Sequence, residues 1–130
     1  MRVLLDTQVL IVLASKGISA IPGKARQTIS DPGTTRLISS ISLVEFAIKT
    51  SMRRFESSPD FATRLIQGLL LDVLPFKTAH ALQMYALPLH HREPFDRMLI
   101  AVAIAEAIPI VGGDQAFPFY KAQGLSVVWK

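Results

Sequence analysis

Arg2-Val3-Leu4-Leu5-Asp6-Thr7-Gln8-Val9-Leu10 decides the fold. An apolar run ends abruptly in an acid, and a second apolar run begins at once. A buried strand does not carry a charge along its length, because desolvating a carboxylate costs several kcal/mol. Asp6 therefore belongs at the C-terminal end of a strand, where the next helix starts. In open parallel α/β sheets that edge is where ligands bind.

The rest of the chain alternates in the same way. Arg2–Leu5 reads as a strand and Thr7–Ala14 as a short helix ended by Lys16-Gly17. Pro22 opens a second helix, which Asp31-Pro32-Gly33 stops. Thr35–Ile38 is a strand. Ser39, Ser40 and Ser42 cap a third helix running to about Arg54, with Ile41, Val44, Ala47 and Ile48 on one side and Lys49, Arg53 and Arg54 reaching water. Ser57-Ser58-Pro59-Asp60 enters a fourth helix over Phe61–Leu71, and Asp72–Phe76 is a strand. Thr78 caps a helix over Ala79–Ala86, and Leu87–Pro94 is a loop. Phe95–Ala107 is a nearly all-apolar helix, so it is expected to be central. Pro109–Val111 is a strand followed by Gly112-Gly113-Asp114, Gln115–Lys121 is a short helix, and Ser126–Trp129 is the last strand. Strands alternating with helices mean a parallel sheet covered on both faces, a doubly wound α/β domain. At 130 residues, a single domain over 1–130 is expected.

Composition narrows the function. There is no cysteine, which excludes disulfides and thiolate metal sites. Half the residues are hydrophobic, yet no apolar run approaches the roughly 20 residues that span a bilayer. Met1-Arg2 leads straight into a strand with no apolar leader, so a cytoplasmic location and no membrane association are expected. The surplus apolar content points to a protein partner or a homodimer. A net charge of +4 favours a polyanionic partner such as nucleic acid.

Four of the ten acids sit where a strand ends or a helix begins: Asp6, Glu45, Asp96 and Asp114. Each has an ordinary explanation. Asp6 and Asp114 are readable as N-caps. Ser42-Leu43-Val44-Glu45 matches the capping box. Asp96 suits the positive end of a helix. Together they have another explanation, because a parallel sheet brings the C-terminal ends of its strands to one edge. Asp96 joins them only if the loop before it reaches back. Four carboxylates in one pocket repel each other unless a cation neutralises them. With no thiolate and no ligand histidine pair, oxygen ligation indicates Mg²⁺ or Mn²⁺, and the matching chemistry is phosphodiester hydrolysis. An aspartyl-phosphate phosphatase with Asp6 as nucleophile does not fit, since Gln8 stands where its second acid belongs.

Four segments carry a resemblance: Leu4-Leu5-Asp6-Thr7, Ser42–Lys49, His90-His91-Arg92-Glu93-Pro94-Phe95-Asp96-Arg97 with Met98–Ala101, and Val111–Phe117. In order and over nearly the whole chain, they resemble PIN-domain proteins of the VapC toxin type. The resemblance implies a three-layer α/β/α PIN-like fold with a central parallel sheet. It implies an Mg²⁺- or Mn²⁺-dependent endoribonuclease of a toxin–antitoxin module, acting on RNA and paired with a VapB-like antitoxin. Asp6, Glu45, Asp96 and Asp114 would be its acidic quartet, with Asp6 and Asp96 the firmest metal ligands.

Two positions depart from the family. Glu93 stands where Asp is usual, and is expected either to join the outer shell or to pair with Arg92 or Arg97. Gly112-Gly113 replaces a hydroxyl-bearing pair, which is expected to loosen the backbone beside Asp114. The alternative reading is a PIN-like module that binds RNA or a partner without cutting. Thr7 is expected either to contact a metal ligand or phosphate or to cap its helix. Arg97 is expected either to touch phosphate or orient the quartet, or to form a surface ion pair. His90 and His91 are expected to serve the loop, and Trp129 to be a core residue at a strand end.

Overall fold

Alternate residues of each strand point to opposite faces of a sheet, and here both faces are buried. The computed structural model describes residues 1–130. Its strands are β1 (Arg2–Leu5), β2 (Thr35–Ser39), β3 (Asp72–Leu74), β4 (Ile110–Val111) and β5 (Val127–Val128). They form one sheet in the order β3-β2-β1-β4-β5, parallel at every pairing. The helices are α1 (Thr7–Ser15), α2 (Gly23–Ser30), α3 (Ser40–Ser51), α4 (Pro59–Gly68), α5 (Thr78–Gln83) and α6 (Pro94–Glu106).

Leu4, Leu37, Leu74 and Ile110 face one core with α6. Val3, Leu5, Ile38, Val111 and Val128 face a second core with α1, α2 and α4. The result is the expected three-layer α/β/α arrangement. Helix α6 crosses the centre of the first core, with Leu99–Ala103 all buried. Such continuous apolar strands are what a sheet covered on both faces requires.

Strand order reverses at β1. The chain moves outward from β1 through β2 to β3, then returns to place β4 on the other side of β1. The switch point therefore lies between the ends of β1 and β4, the crevice where such sheets bind ligands. Asp6 follows β1 directly, and Gly112-Gly113-Asp114 follows β4.

Several local expectations need correction. Helix α3 buries Ile41, Ser42, Glu45 and Phe46, while Val44 and Ile48 are exposed. Of the expected stripe only Ile41 is buried; Val44, Ala47 and Ile48 are exposed, and Ser42 and Glu45 share the inward face with Ile41 and Phe46. Thr78 lies inside α5, whose N-cap is Lys77, with the Lys77 N–H donating to His80 Nδ1 at 2.9 Å. The segment after Asp114 is a 3₁₀ helix over Phe117–Gln123 rather than a helix over 115–121.

Candidate active site

Asp6, Thr7, Glu45, Glu93, Asp96 and Asp114 line one cleft of about 390 Å³, together with Lys49, Gly113 and Trp129. These five acids come from four segments distant in sequence, Glu93 and Asp96 sharing one.

Asp6 holds the N-cap position of α1, but its side chain makes no capping hydrogen bond. It is only 5% exposed. Burial pushes its carboxyl up to about 7, and the charges of Asp96, Asp114 and Glu45 push the same way against the Thr7 amide. The capping explanation for Asp6 therefore fails.

The capping-box explanation for Glu45 fails as well. Ser39 caps α3, accepting from the Ile41 N–H at 3.1 Å. Ser42 and Glu45 lie beyond that cap. The Ser42 hydroxyl pairs with the Thr7 hydroxyl at 2.7 Å, so Thr7 ties α1 to α3 rather than capping its own helix. Glu45 Oε2 accepts from Lys49 Nζ at 2.5 Å. Glu45 Oε1 is buried with no hydrogen-bond partner. Leaving an acceptor of a buried carboxylate bare costs more than leaving a neutral one.

Asp96 reaches the cleft because the loop before it is tied down. Arg97 donates to the carbonyls of Leu87 at 3.2 Å, Pro88 at 3.0 Å and His91 at 3.0 Å. Tyr120 Oη donates to Pro88 O at 2.8 Å and accepts from the His91 N–H at 2.9 Å. Arg97 is thus neither a phosphate contact nor a surface ion pair. It is part-buried and holds the loop that orients the site. Glu93 pairs with neither Arg92 nor Arg97; it is the N-cap of α6, accepting from the Asp96 N–H at 2.6 Å.

His91 was expected to serve the loop alone, and it does more. Its Nε2 lies 2.7 Å from Asp96 Oδ2 and 3.2 Å from Asp114 Oδ2. A proton on Nε2 faces both acids. Burial lowers the His91 pKa, but the bond to Asp96 and the charges of Asp114 and Asp96 outweigh it, and the net shift is upward. Burial pushes Asp96 up to about 6, with Glu93 and Asp114 adding to the shift and His91 opposing it. The donor atoms of His91, Asp96 and Asp114 all lie within 4.8 Å of one another. No sequence spacing singled out His91, because its role depends on the folded path of the loop.

Asp114 is divided between two tasks. Oδ1 accepts from the Ala116 N–H at 2.8 Å, and Oδ2 faces His91. The two glycines before it do not loosen this edge; they let it close. A Cβ on Gly112 would lie 2.9 Å from Asp6 Cβ and 2.7 Å from Phe117 Cε2. One on Gly113 would lie 2.4 Å from Trp129 Cε2. Trp129 is accordingly a half-buried wall of the cleft rather than simply a core residue.

The donor set fits a hard divalent cation. Five carboxylates line the cleft, the quartet and Glu93; two have raised pKa values, and one buried oxygen is unpartnered. Lys49 is the cationic side chain in its lining, and His91 meets the quartet from outside that lining, through Asp96 and Asp114.

Comparisons with known proteins agree with this architecture. The family model described as PIN domain matches residues 3–123. A chain of the crystal structure of VapBC2 from Rickettsia felis, bound to a DNA fragment from their promoter, superposes with a TM-score of 0.71 at 18% identity, covering 100% of both chains. VapBC-5 from Mycobacterium tuberculosis gives 0.63 at 17%, covering 99% of this chain and 98% of that one. FitAcB from Neisseria gonorrhoeae gives 0.59 at 17%, covering 96% and 95%. At such identities the likeness is one of fold. No curated protein matches the sequence.

Proposed function

The chain belongs to the PIN-domain family, and from that premise we propose that it is a divalent-metal-dependent endoribonuclease, the toxin of a toxin–antitoxin module. PIN domains are generally nucleases. One observation carries the reading: four carboxylates from separate segments converge at the switch point with too little positive charge to balance them.

Asp6 and Asp96 would hold Mg²⁺ or Mn²⁺, with Glu45 and Asp114 completing the site directly or through water. A cation bound there supplies a nucleophilic water near neutral pH and offsets negative charge on the phosphate. The chain's own groups do the rest. Lys49 holds Glu45 in place, and the Thr7–Ser42 pair fixes the two helices that carry Asp6 and Glu45. Arg97 and Tyr120 fix the loop before Asp96, and the His91 imidazole, through Nε2, aligns Asp96 with Asp114. The glycine pair does not argue for a non-cutting module, since close packing of Asp6, Phe117 and Trp129 accounts for it.

In this reading residues 1–130 form a single PIN domain, dimerise, and bind a VapB-like antitoxin. Support for the partners comes from exposed apolar residues such as Val44, Ile48, Met52 and Tyr85, and from fold likeness to chains of VapBC complexes. No helix is long and apolar enough to cross a membrane. The test is cleavage of a panel of structured RNAs in Mg²⁺ or Mn²⁺, with wild type beside Asp6→Asn and Asp96→Asn. Wild type should cut and both variants should not. A wild type that cuts no better than either variant on every RNA overturns the reading.

A further inference from the structure

The cleft has a second wall of different chemistry. Opposite in character to the acids, Ile11, Val12 and Trp129 line it with half-buried apolar side chains. Trp129 is held there from several directions. The preceding residue, Val128, pairs with Val111, and its carbonyl accepts from the Gly112 N–H at 3.2 Å. The Trp129 carbonyl accepts from the Ala25 N–H at 2.9 Å. The indole lies so close to Gly113 that any Cβ there would sit 2.4–2.7 Å from Cε2, Nε1 and Cζ2. An aromatic ring fixed in advance loses little entropy when a ligand stacks on it.

We propose that Trp129 is a stacking platform for a nucleobase of the strand whose phosphate lies at the acidic quartet. The inference rests on the nuclease reading and adds a base-binding subsite to it. A phosphodiester strand offers an anionic backbone and flat apolar bases in alternation. The cleft offers the matching pair: carboxylates that need a cation before they accept phosphate, and a planar indole on the same wall as Ile11 and Val12. Trp129 packs against the core beneath the sheet and lines the cleft with the part of its side chain that the core leaves uncovered. Stacking on an aromatic face tolerates any base, so Trp129 contributes affinity and register rather than a sequence code.

Trp129 is the only tryptophan in the chain, so protein fluorescence reports on it alone. The experiment titrates full-length wild type, in Mg²⁺, with a short single-stranded RNA carrying phosphorothioate linkages, and separately with the same backbone made abasic. Trp129→Leu and Trp129→Phe are measured beside it for RNA binding by anisotropy of a labelled strand. Base-bearing RNA should quench the emission saturably, and the abasic strand should not. Trp129→Leu should weaken binding about tenfold, the scale of one base–aromatic stack, and Trp129→Phe should restore most of it. Equal quenching by both strands, or unchanged affinity in Trp129→Leu, overturns the proposal. If Trp129→Leu does not fold, the wild-type emission decides alone. Quenching by bases together with no cleavage of the unmodified RNA panel would sink the nuclease reading and leave the stacking site standing. Cleavage without base-dependent quenching would sink only the stacking site.

Discussion

The protein contains two histidine–carboxylate clusters, and they are built to opposite charge balances. One holds Glu106, near the C-terminal end of α6. His80, fully buried, accepts the Lys77 N–H on Nδ1, so its Nε2 carries the proton and donates to Glu106 Oε2 at 2.9 Å. Lys77 and Arg2 lie 3.9 and 3.8 Å from the same carboxylate. The His80 bond, with Lys77 and Arg2 behind it, pulls the Glu106 pKa down. The other cluster, at the switch point, gives His91 two acids to face and leaves Asp6 and Asp96 with raised pKa values. One acid with a surplus of donors is a structural pin. Four acids with a deficit of positive charge are a site waiting for a cation. A histidine beside a carboxylate does not tell the two apart; the charge count around it does.

The largest expected effect separates the clusters by activity. Asp6→Asn and Asp96→Asn should each lower RNA cleavage by about 100-fold or more, since metal assistance is worth several kcal/mol in the transition state. Both variants should unfold at equal or higher denaturant than the metal-free wild type, because each removes a repelling charge. Glu106→Gln should leave cleavage per folded molecule unchanged. A loss of cleavage in Glu106→Gln equal to that of Asp96→Asn would erase the distinction.

The next effect separates them by stability. His80→Ala leaves the Lys77 N–H without its acceptor and a hole between α5 and α6, and should cost about 2–4 kcal/mol in urea denaturation. His91→Ala, at a part-exposed position, should cost less than half as much by the same measurement.

Gly113→Ala tests whether the glycines close the site edge. The added methyl must displace the Trp129 ring, at about 1–3 kcal/mol, and the single-tryptophan emission should shift. An unchanged spectrum with unchanged stability would return the glycines to being mere flexibility.

The smallest effect is in pH, and the clusters should respond with opposite sign. The folded state holds protons on Asp6 and Asp96 more tightly than the unfolded chain, so metal-free stability should fall as pH rises from about 4 to about 7. The raised His91 pKa acts in the same direction. Glu106 is shifted downward, so its contribution is present above its ordinary pKa of 4.5 and is lost as pH falls through the lower folded value. Equilibrium denaturation of wild type, Asp6→Asn and Glu106→Gln from neutral pH to well below 4.5 measures both arms.

Much of the architecture was legible in the sequence, because it rests on local signals. Apolar runs ending at Asp6 and Gly112 mark parallel strands, and the apolar stretch after Phe95 marks a covered helix. The quartet was legible for the same reason: strand ends share an edge whatever the details. What the sequence hid depends on tertiary paths. Ser42 and Glu45 spell a capping box, yet Ser39 takes the cap and leaves Ser42 to bond Thr7 and Glu45 to line the cleft. Arg97 looks like a phosphate ligand, yet it is used up by the loop carbonyls around His91. Gly112-Gly113 looks like slack, until Asp6 and Trp129 are seen to lie against it.

The most direct test of the central claim is calorimetric titration of the metal-free protein with Mn²⁺ at neutral pH, for wild type, Asp6→Asn, Asp96→Asn and Glu106→Gln. The charge-deficient cluster should bind the ion in wild type and in Glu106→Gln, with binding lost or weakened about 100-fold in the two quartet variants. Equal binding in all four proteins, or none in wild type, would contradict it.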